Sequence, residues 1–99
     1  MSNLDLPSGF DFAGTLPLWK LEPSGIQMTR EFIFQDFKQA FAFMTLCARY
    51  AEEMDHHPDW KNCWNKVFVQ LSTHSAAAIT QLDIQLAKAM DAFALQFQA

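Results

Sequence analysis

Basic residues are scarce. Only 7 of the 99 residues are Lys or Arg, against 11 Asp and Glu, which gives a formal net charge of −4. The few cations are scattered and form no stripe, and neutralising a phosphate backbone takes clustered ones. Direct binding to nucleic acid is therefore not expected. Long apolar runs are missing too: nothing approaches the ~18 consecutive apolar residues of a membrane helix. The opening stretch MSNLDLPSGFDF has neither a basic segment nor an apolar core, so it is not expected to be a secretory leader. Cysteine is limited to Cys47 and Cys63. Two reduced thiols in a cytoplasmic protein is the simplest reading of so few.

What the chain does have is aromatic and aliphatic bulk. Hydrophobic residues make up 51%, with 10 Phe and 3 Trp. A single domain of this length buries a thin core. The surplus points to a buried contact between subunits, hence a homodimer or homotetramer.

Residues 1–17 carry Pro7, Gly9, Gly14 and Pro17 without a clear period and read as an irregular arm, which Phe10 and Phe12 could dock onto the core. Residues 18–99 read as one domain. LPLWKLEPSGIQMTREFIF predicts a hairpin turning at Pro23-Ser24-Gly25. In its second arm Met28, Arg30, Phe32 and Phe34 alternate with Thr29, Glu31 and Ile33, so one face is dry and one wet. Asp36 is a good helix N-cap, with Gln39 at the capping-box position. Phe37, Ala40, Phe41, Met44, Cys47, Ala48, Ala51 and Met54 follow as an apolar stripe, which makes Cys47 a packing residue. After Pro58, NCW and NKVFVQLSTH predict two short strands or one bent strand, with Val67, Val69, Leu71 and Thr73 toward the helices. Thr80 and Asp83 have capping-box spacing before a second helix with the stripe Ile79, Leu82, Leu86, Met90, Phe93 and Phe97. Ile84, Ala87 and Leu95 suggest a further contact face on it, interrupted by Asp91. The fold class is α+β: an antiparallel sheet of three or four strands with two long helices on one face, in the order strand, strand, helix, one or two strands, helix.

All three histidines fall in EEMDHHPDWKNCWNKVFVQLSTH, residues 52–74. A metal site, plain packing and proton transfer are the alternatives. Adjacent residues on extended backbone point to opposite sides, so His56 and His57 are poorly placed to share one ion, and no HExxH is present. Packing accounts for any single histidine better than for three together. Imidazole both donates and accepts protons near neutrality. Glu52 and Asp55 lie close enough in sequence to tune His56.

The same stretch closely resembles the signature of the pterin-4a-carbinolamine dehydratases. That signature is an acidic residue, His-His-Pro, an aromatic, a Val-containing strand, Thr-His and an Asp opening a helix. Here these are Glu52, His56-His57-Pro58, Trp60 and Trp64, Val67, Thr73-His74 and Asp83. FIFQDFKQAFAFM is similar to the segment that opens the family's first long helix. The likeness spans roughly residues 18–97. The resemblance implies dehydration of a 4a-hydroxytetrahydropterin to the quinonoid dihydropterin, in tetrahydrobiopterin recycling, with no metal and no cofactor. It implies His56 and His74 as the acid–base pair, with His56 leaning toward acid, and His57 as the residue that orients the pterin. Glu52 and Asp83 would bind substrate or hold imidazole tautomers, and Pro58 and Trp60 would shape the pocket. It also implies two other possibilities: an interaction module of the transcription-factor dimerisation-cofactor type, or a pterin binder that has lost turnover. Ser75 stands where the family often has Asp. Ala77 and Ala78 stand where it usually has Gly, so the turn after His74 is expected to be shaped differently.

Overall fold

The computed structural model of the chain describes residues 5–97. Four antiparallel strands form one sheet in the order β1-β2-β4-β3: β1 Lys20–Leu21, β2 Met28–Ile33, β3 Asp59–Cys63 and β4 Lys66–Leu71. Between β2 and β3 runs helix α2, Phe37–Met54, and after β4 comes α3, Gln81–Ala94. The architecture and element order are those the patterning predicts. No helix among the described residues is long and apolar enough to cross a membrane.

The sheet's dry face follows from strand alternation. Met28, Phe32, Val67, Val69 and Leu71 are buried against Phe43, Cys47, Leu86 and Met90 from the two helices. Phe43 meets Phe32 and Phe34 at centroid distances of 4.7 and 4.9 Å. On the same sheet face Arg30 lies over the Phe32 ring, 4.1 Å from its centroid. It ion-pairs with Asp91, which also accepts from Trp19 Nε1 at 2.8 Å.

Helix starts are capped as the sequence indicates, with one variation. Asp36 accepts from the Gln39 amide at 2.9 Å, but the Gln39 side chain bonds the Gln35 amide at 3.1 Å, one residue further out than a capping box. Residues 5–17, expected as an irregular arm, include one helical turn, α1 Phe12–Thr15. Phe10 and Phe12 pack against the core, and Leu16 is fully buried within it.

The helix stripes are corrected in detail. On α2 the buried side is Ala40, Phe43, Cys47 and Ala51, while Phe37 and Phe41 are 47% and 54% exposed. Apolar residues cover so wide an arc of this helix that several stripes fit its period. The two outer phenylalanines pack against each other instead, with ring centroids 5.6 Å apart and planes tilted by 44°. On α3, Ile84 and Ala87 belong to the chain's own core and only Leu95 is exposed, so these three do not form a free contact face.

Burial pushes the Cys47 thiol from 9.0 up to about 12, because a thiolate there would be stripped of water. Cys63, by contrast, is exposed. Thiol labelling of the native protein at neutral pH should therefore modify Cys63 and leave Cys47 until the chain unfolds. The folded state retains a proton that the unfolded state loses. The contribution of Cys47 to stability is thus complete below pH 9.0 and is lost as pH rises toward about 12. Alkaline melting curves of Cys47→Ala should show a shallower loss over that window.

Candidate active site

The β3–β4 hairpin brings the two histidine motifs together. Asp59, which opens β3, pairs with Gln70 near the end of β4. The residues just before β3 and just after β4 therefore share one end of the sheet. His56 and His57 stand at the first of these places and His74 at the second. They line an open cleft of about 420 Å³, walled by residues 55–59 on one side and by residues 72–75 with Leu82 on the other. That volume is within the range of small-molecule sites.

The exit of α2 sets the first wall. Asp55 adopts the left-handed conformation with φ 52°. The His56 amide reaches back to the Ala51 carbonyl at 3.0 Å and the Asp55 amide to Glu52 at 3.2 Å. This is the Schellman pattern, which stops a helix and fixes the direction of the chain beyond it. The following extended backbone turns the two imidazoles apart, as adjacent residues must be. His56 is buried, whereas the His57 side chain is 56% exposed.

The second wall is a tight loop. His74–Ala76 makes one 3-10 turn, and Thr73 and Ala78 bridge across it. Ala77 takes φ 50° there, a left-handed position better suited to glycine. The loop keeps its sharp turn with alanine in place.

Each imidazole has a carboxylate. His56 Nε2 is 2.6 Å from Asp83 Oδ1, in a buried pair. His57 Nε2 is 2.9 Å from Glu52 Oε2 at the surface. His74 Nε2 is 3.5 Å from Asp59 Oδ2, an ion-pair distance between two exposed groups. The other Asp83 oxygen accepts from the Thr73 hydroxyl at 2.7 Å and the Thr80 amide at 2.9 Å. Asp83 is thus both the capping-box residue of α3 and the partner of His56. Among the described residues, no buried side-chain nitrogen or oxygen lacks a partner, and no His/Cys/Asp/Glu set of three or more is grouped to hold a metal ion.

Of the residues singled out in the sequence, the cleft gathers His56, His57, Pro58 and His74. Asp83 lies behind His56, and Glu52 lies outside the cleft against His57. Trp60 is placed elsewhere. It pairs with buried Val69, on the core side of β3, and packs against the hydrophobic cluster. Strand alternation puts it on the opposite face from Asp59. Asp59 and Thr73 are the participants that residue-type reasoning passed over. A carboxylate directly after His-His-Pro, at the mouth of a predicted strand, was the available signal for Asp59.

Removing a buried group with three donors leaves them stranded. Asp83→Ala should cost about 3 kcal/mol, a fall of roughly 10–20 °C in Tm by thermal melting. Ala77→Gly should raise Tm by a few degrees, because relief of about 1–2 kcal/mol of left-handed strain exceeds the added freedom of the unfolded chain.

Comparison with known proteins shows which family and fold the chain shares. A family model described as "Pterin 4 alpha carbinolamine dehydratase" matches residues 10–93. A provisionally named pterin-4-alpha-carbinolamine dehydratase of Mesorhizobium japonicum is 52% identical over 73 residues, covering 74% of each chain. One of Rhizorhabdus wittichii is 44% identical over 84 residues, covering 85% of this chain and 87% of its own. Among solved structures, a transcriptional coactivator/pterin dehydratase from Brucella melitensis superposes with a TM-score of 0.81 at 41% identity. It covers 91% of this chain and 98% of its own. A pterin dehydratase-like protein identified as a RuBisCO assembly factor in the alpha-carboxysome shares the fold, with a TM-score of 0.67 at 22% identity, over 77% and 88% of the two chains.

Proposed function

The chain belongs to the pterin-4a-carbinolamine dehydratase family, and from that membership we propose that it dehydrates a 4a-hydroxytetrahydropterin to the quinonoid dihydropterin. The observation that carries the reading is the convergence of all three imidazoles on one cleft, each with its own carboxylate. The reaction needs two proton transfers. Hydroxide is a poor leaving group at C4a and must depart as water, and N5 must give up its proton for the new N5–C4a double bond to form. Two imidazoles on opposite walls suit that pairing, and such general acid–base catalysis contributes about 10²–10⁴-fold in rate. Fixing the ring between the walls adds the benefit of orientation.

In this reading His56 and His74 form the acid–base pair. His57, braced by Glu52, orients the pterin, and Pro58 holds the wall between them. Asp83 supports His56, and Trp60 supports β3 from the core side. In this reading the chain works as a single domain in the cytoplasm in tetrahydrobiopterin recycling, as a homodimer or homotetramer, without metal or cofactor.

A second reading is favoured by the exposed Phe37–Phe41 pair at the start of α2. The Brucella melitensis relative is named both a transcriptional coactivator and a pterin dehydratase. By that reading, the chain would be an interaction module whose cleft is incidental.

Purified protein should accelerate formation of the quinonoid product, followed by absorbance, well above the buffer rate and equally with chelator present. A rate equal to buffer would favour the interaction module, and loss of activity on chelation would implicate a metal. His74→Ala should lower kcat by about 10²–10⁴-fold. Its Tm should move by no more than a few degrees, since the side chain is 80% exposed.

A further inference from the structure

The buried hydrogen bonds behind His56 have a direction. Asp83 is a carboxylate with no exposed surface, and both of its oxygens accept. Thr73 has one hydroxyl proton, and it goes to Asp83 Oδ2 at 2.7 Å. The Thr73 and Thr80 hydroxyl oxygens lie 2.7 Å apart, so the proton between them must come from Thr80. Thr80 is free to supply it, because its oxygen already accepts from the Leu82 amide at 3.2 Å. The proton order therefore runs from Thr80 to Thr73 to Asp83, and no site in it is left open.

From this chain we propose that Thr73, backed by Thr80, is a positioning residue that keeps Asp83 Oδ1 turned to His56 and so holds the Nε2–H tautomer, and that His56 then serves through Nδ1 as the base of the reaction. The proposal rests on the dehydratase reading and deepens it. With Oδ2 filled by the Thr73 hydroxyl and the Thr80 amide, Asp83 offers Oδ1 to His56 Nε2, 2.6 Å away. A carboxylate can only accept there, so the neutral imidazole carries its proton on Nε2. Nδ1 is then the nitrogen with the free lone pair. No hydrogen bond among the described residues engages it, and no buried polar side-chain atom is left without a partner, so Nδ1 is open to solvent.

The step balances as follows. Nδ1 of His56 takes the N5 proton, and the electron pair of that N–H bond becomes the second N5–C4a bond. The C4a–O bond breaks as protonated His74 gives its proton to the departing oxygen, and water leaves. His56 ends as imidazolium and His74 as the neutral ring, and exchange with solvent resets both. The sequence reading leans toward His56 as the acid; the proposal makes the opposite assignment.

Nitrogen-15 NMR of the histidines in the full chain reads the lock directly and without substrate. At a pH where His56 has become neutral, its Nε2 should carry the proton and Nδ1 should show the shift of a bare ring nitrogen. Thr73→Val keeps the shape and removes the donor. It should let the two tautomers mix and lower kcat about 10- to 100-fold, by analogy with losing the hydrogen-bond partner behind a metal-bound imidazole, with KM little changed. Thr73→Ser returns the hydroxyl and should restore both tautomer and kcat. A wild type with His56 as the Nδ1–H tautomer overturns the proposal whatever the variants do. So does a Thr73→Val protein with an unmoved tautomer and unmoved kcat. Should Thr73→Val fail to fold, Thr73→Ser and the wild-type spectrum still decide. A wild type with the expected tautomer but no turnover overturns the dehydratase reading, and with it the role of His56 as base, while the lock itself stands.

Discussion

A single buried carboxylate ties the site to the fold. Burying a charge costs several kcal/mol unless it is paired and fully hydrogen-bonded. Asp83 meets that condition with donors from three places: the exit of α2 through His56, the end of β4 through Thr73, and the first turn of α3 through the Thr80 amide. Because it sits in the first turn of α3, the positive end of the helix dipole also favours its charge. His56 lies 27 residues from Asp83 and Thr73 only 10, so the carboxylate ties the distant exit of α2 to the β4–α3 connection, beside the β3–β4 ladder that already aligns the two ends. The capping box that starts the last helix is thus the same object that holds a candidate functional imidazole, and neither can shift without the other.

The three histidines grade from fixed to free. The His56 side chain is 10% exposed and bonded at 2.6 Å, His57 is 56% exposed and bonded at 2.9 Å, and His74 is 80% exposed with its carboxylate at 3.5 Å. A group whose tautomer matters benefits from a rigid partner, whereas a group that exchanges protons with water needs contact with water. The hairpin supplies both on one cleft. It sets the buried imidazole at the foot of a helix and the exposed one on a short loop. That loop bends through left-handed Ala77, where a side chain is carried at a cost in strain rather than relieved by glycine.

Most of the fold was legible because local chemistry and tertiary packing agree in it. Asp36 and the Thr80–Asp83 pair announce their helices, and Val67, Val69 and Leu71 alternate as a half-buried strand must. Where the reading slipped, more than one arrangement satisfied the same local rule. Phe37 and Phe43 both fit a 3.6-residue period, and only the position of the sheet decides that Phe43 goes inside. Ile84 and Ala87 resemble a free face until the core closes over them. Within the site, residue types and the family signature picked out the imidazoles and Asp83. The partnership of Asp59 with His74 depends on the β3–β4 register, and the role of Thr73 on a proton order; neither can be read from composition or spacing.

A fold does not fix a function, and the alpha-carboxysome protein shows how far this one carries at low identity. What bears on function here is where the distinctive surfaces lie. The exposed phenylalanines stand at the start of α2 and the histidine cleft beyond its end. At about 1.5 Å per residue, the length of that helix separates them by about 25 Å. A partner or a second copy seated on Phe37 and Phe41 would leave the cleft open to a small heterocycle. The rigid helix between the two places gives no reason for occupancy of one to disturb the other. Association and dehydration would therefore be compatible in one small domain, because its longest helix buries its middle in the core and presents a different chemistry at each end.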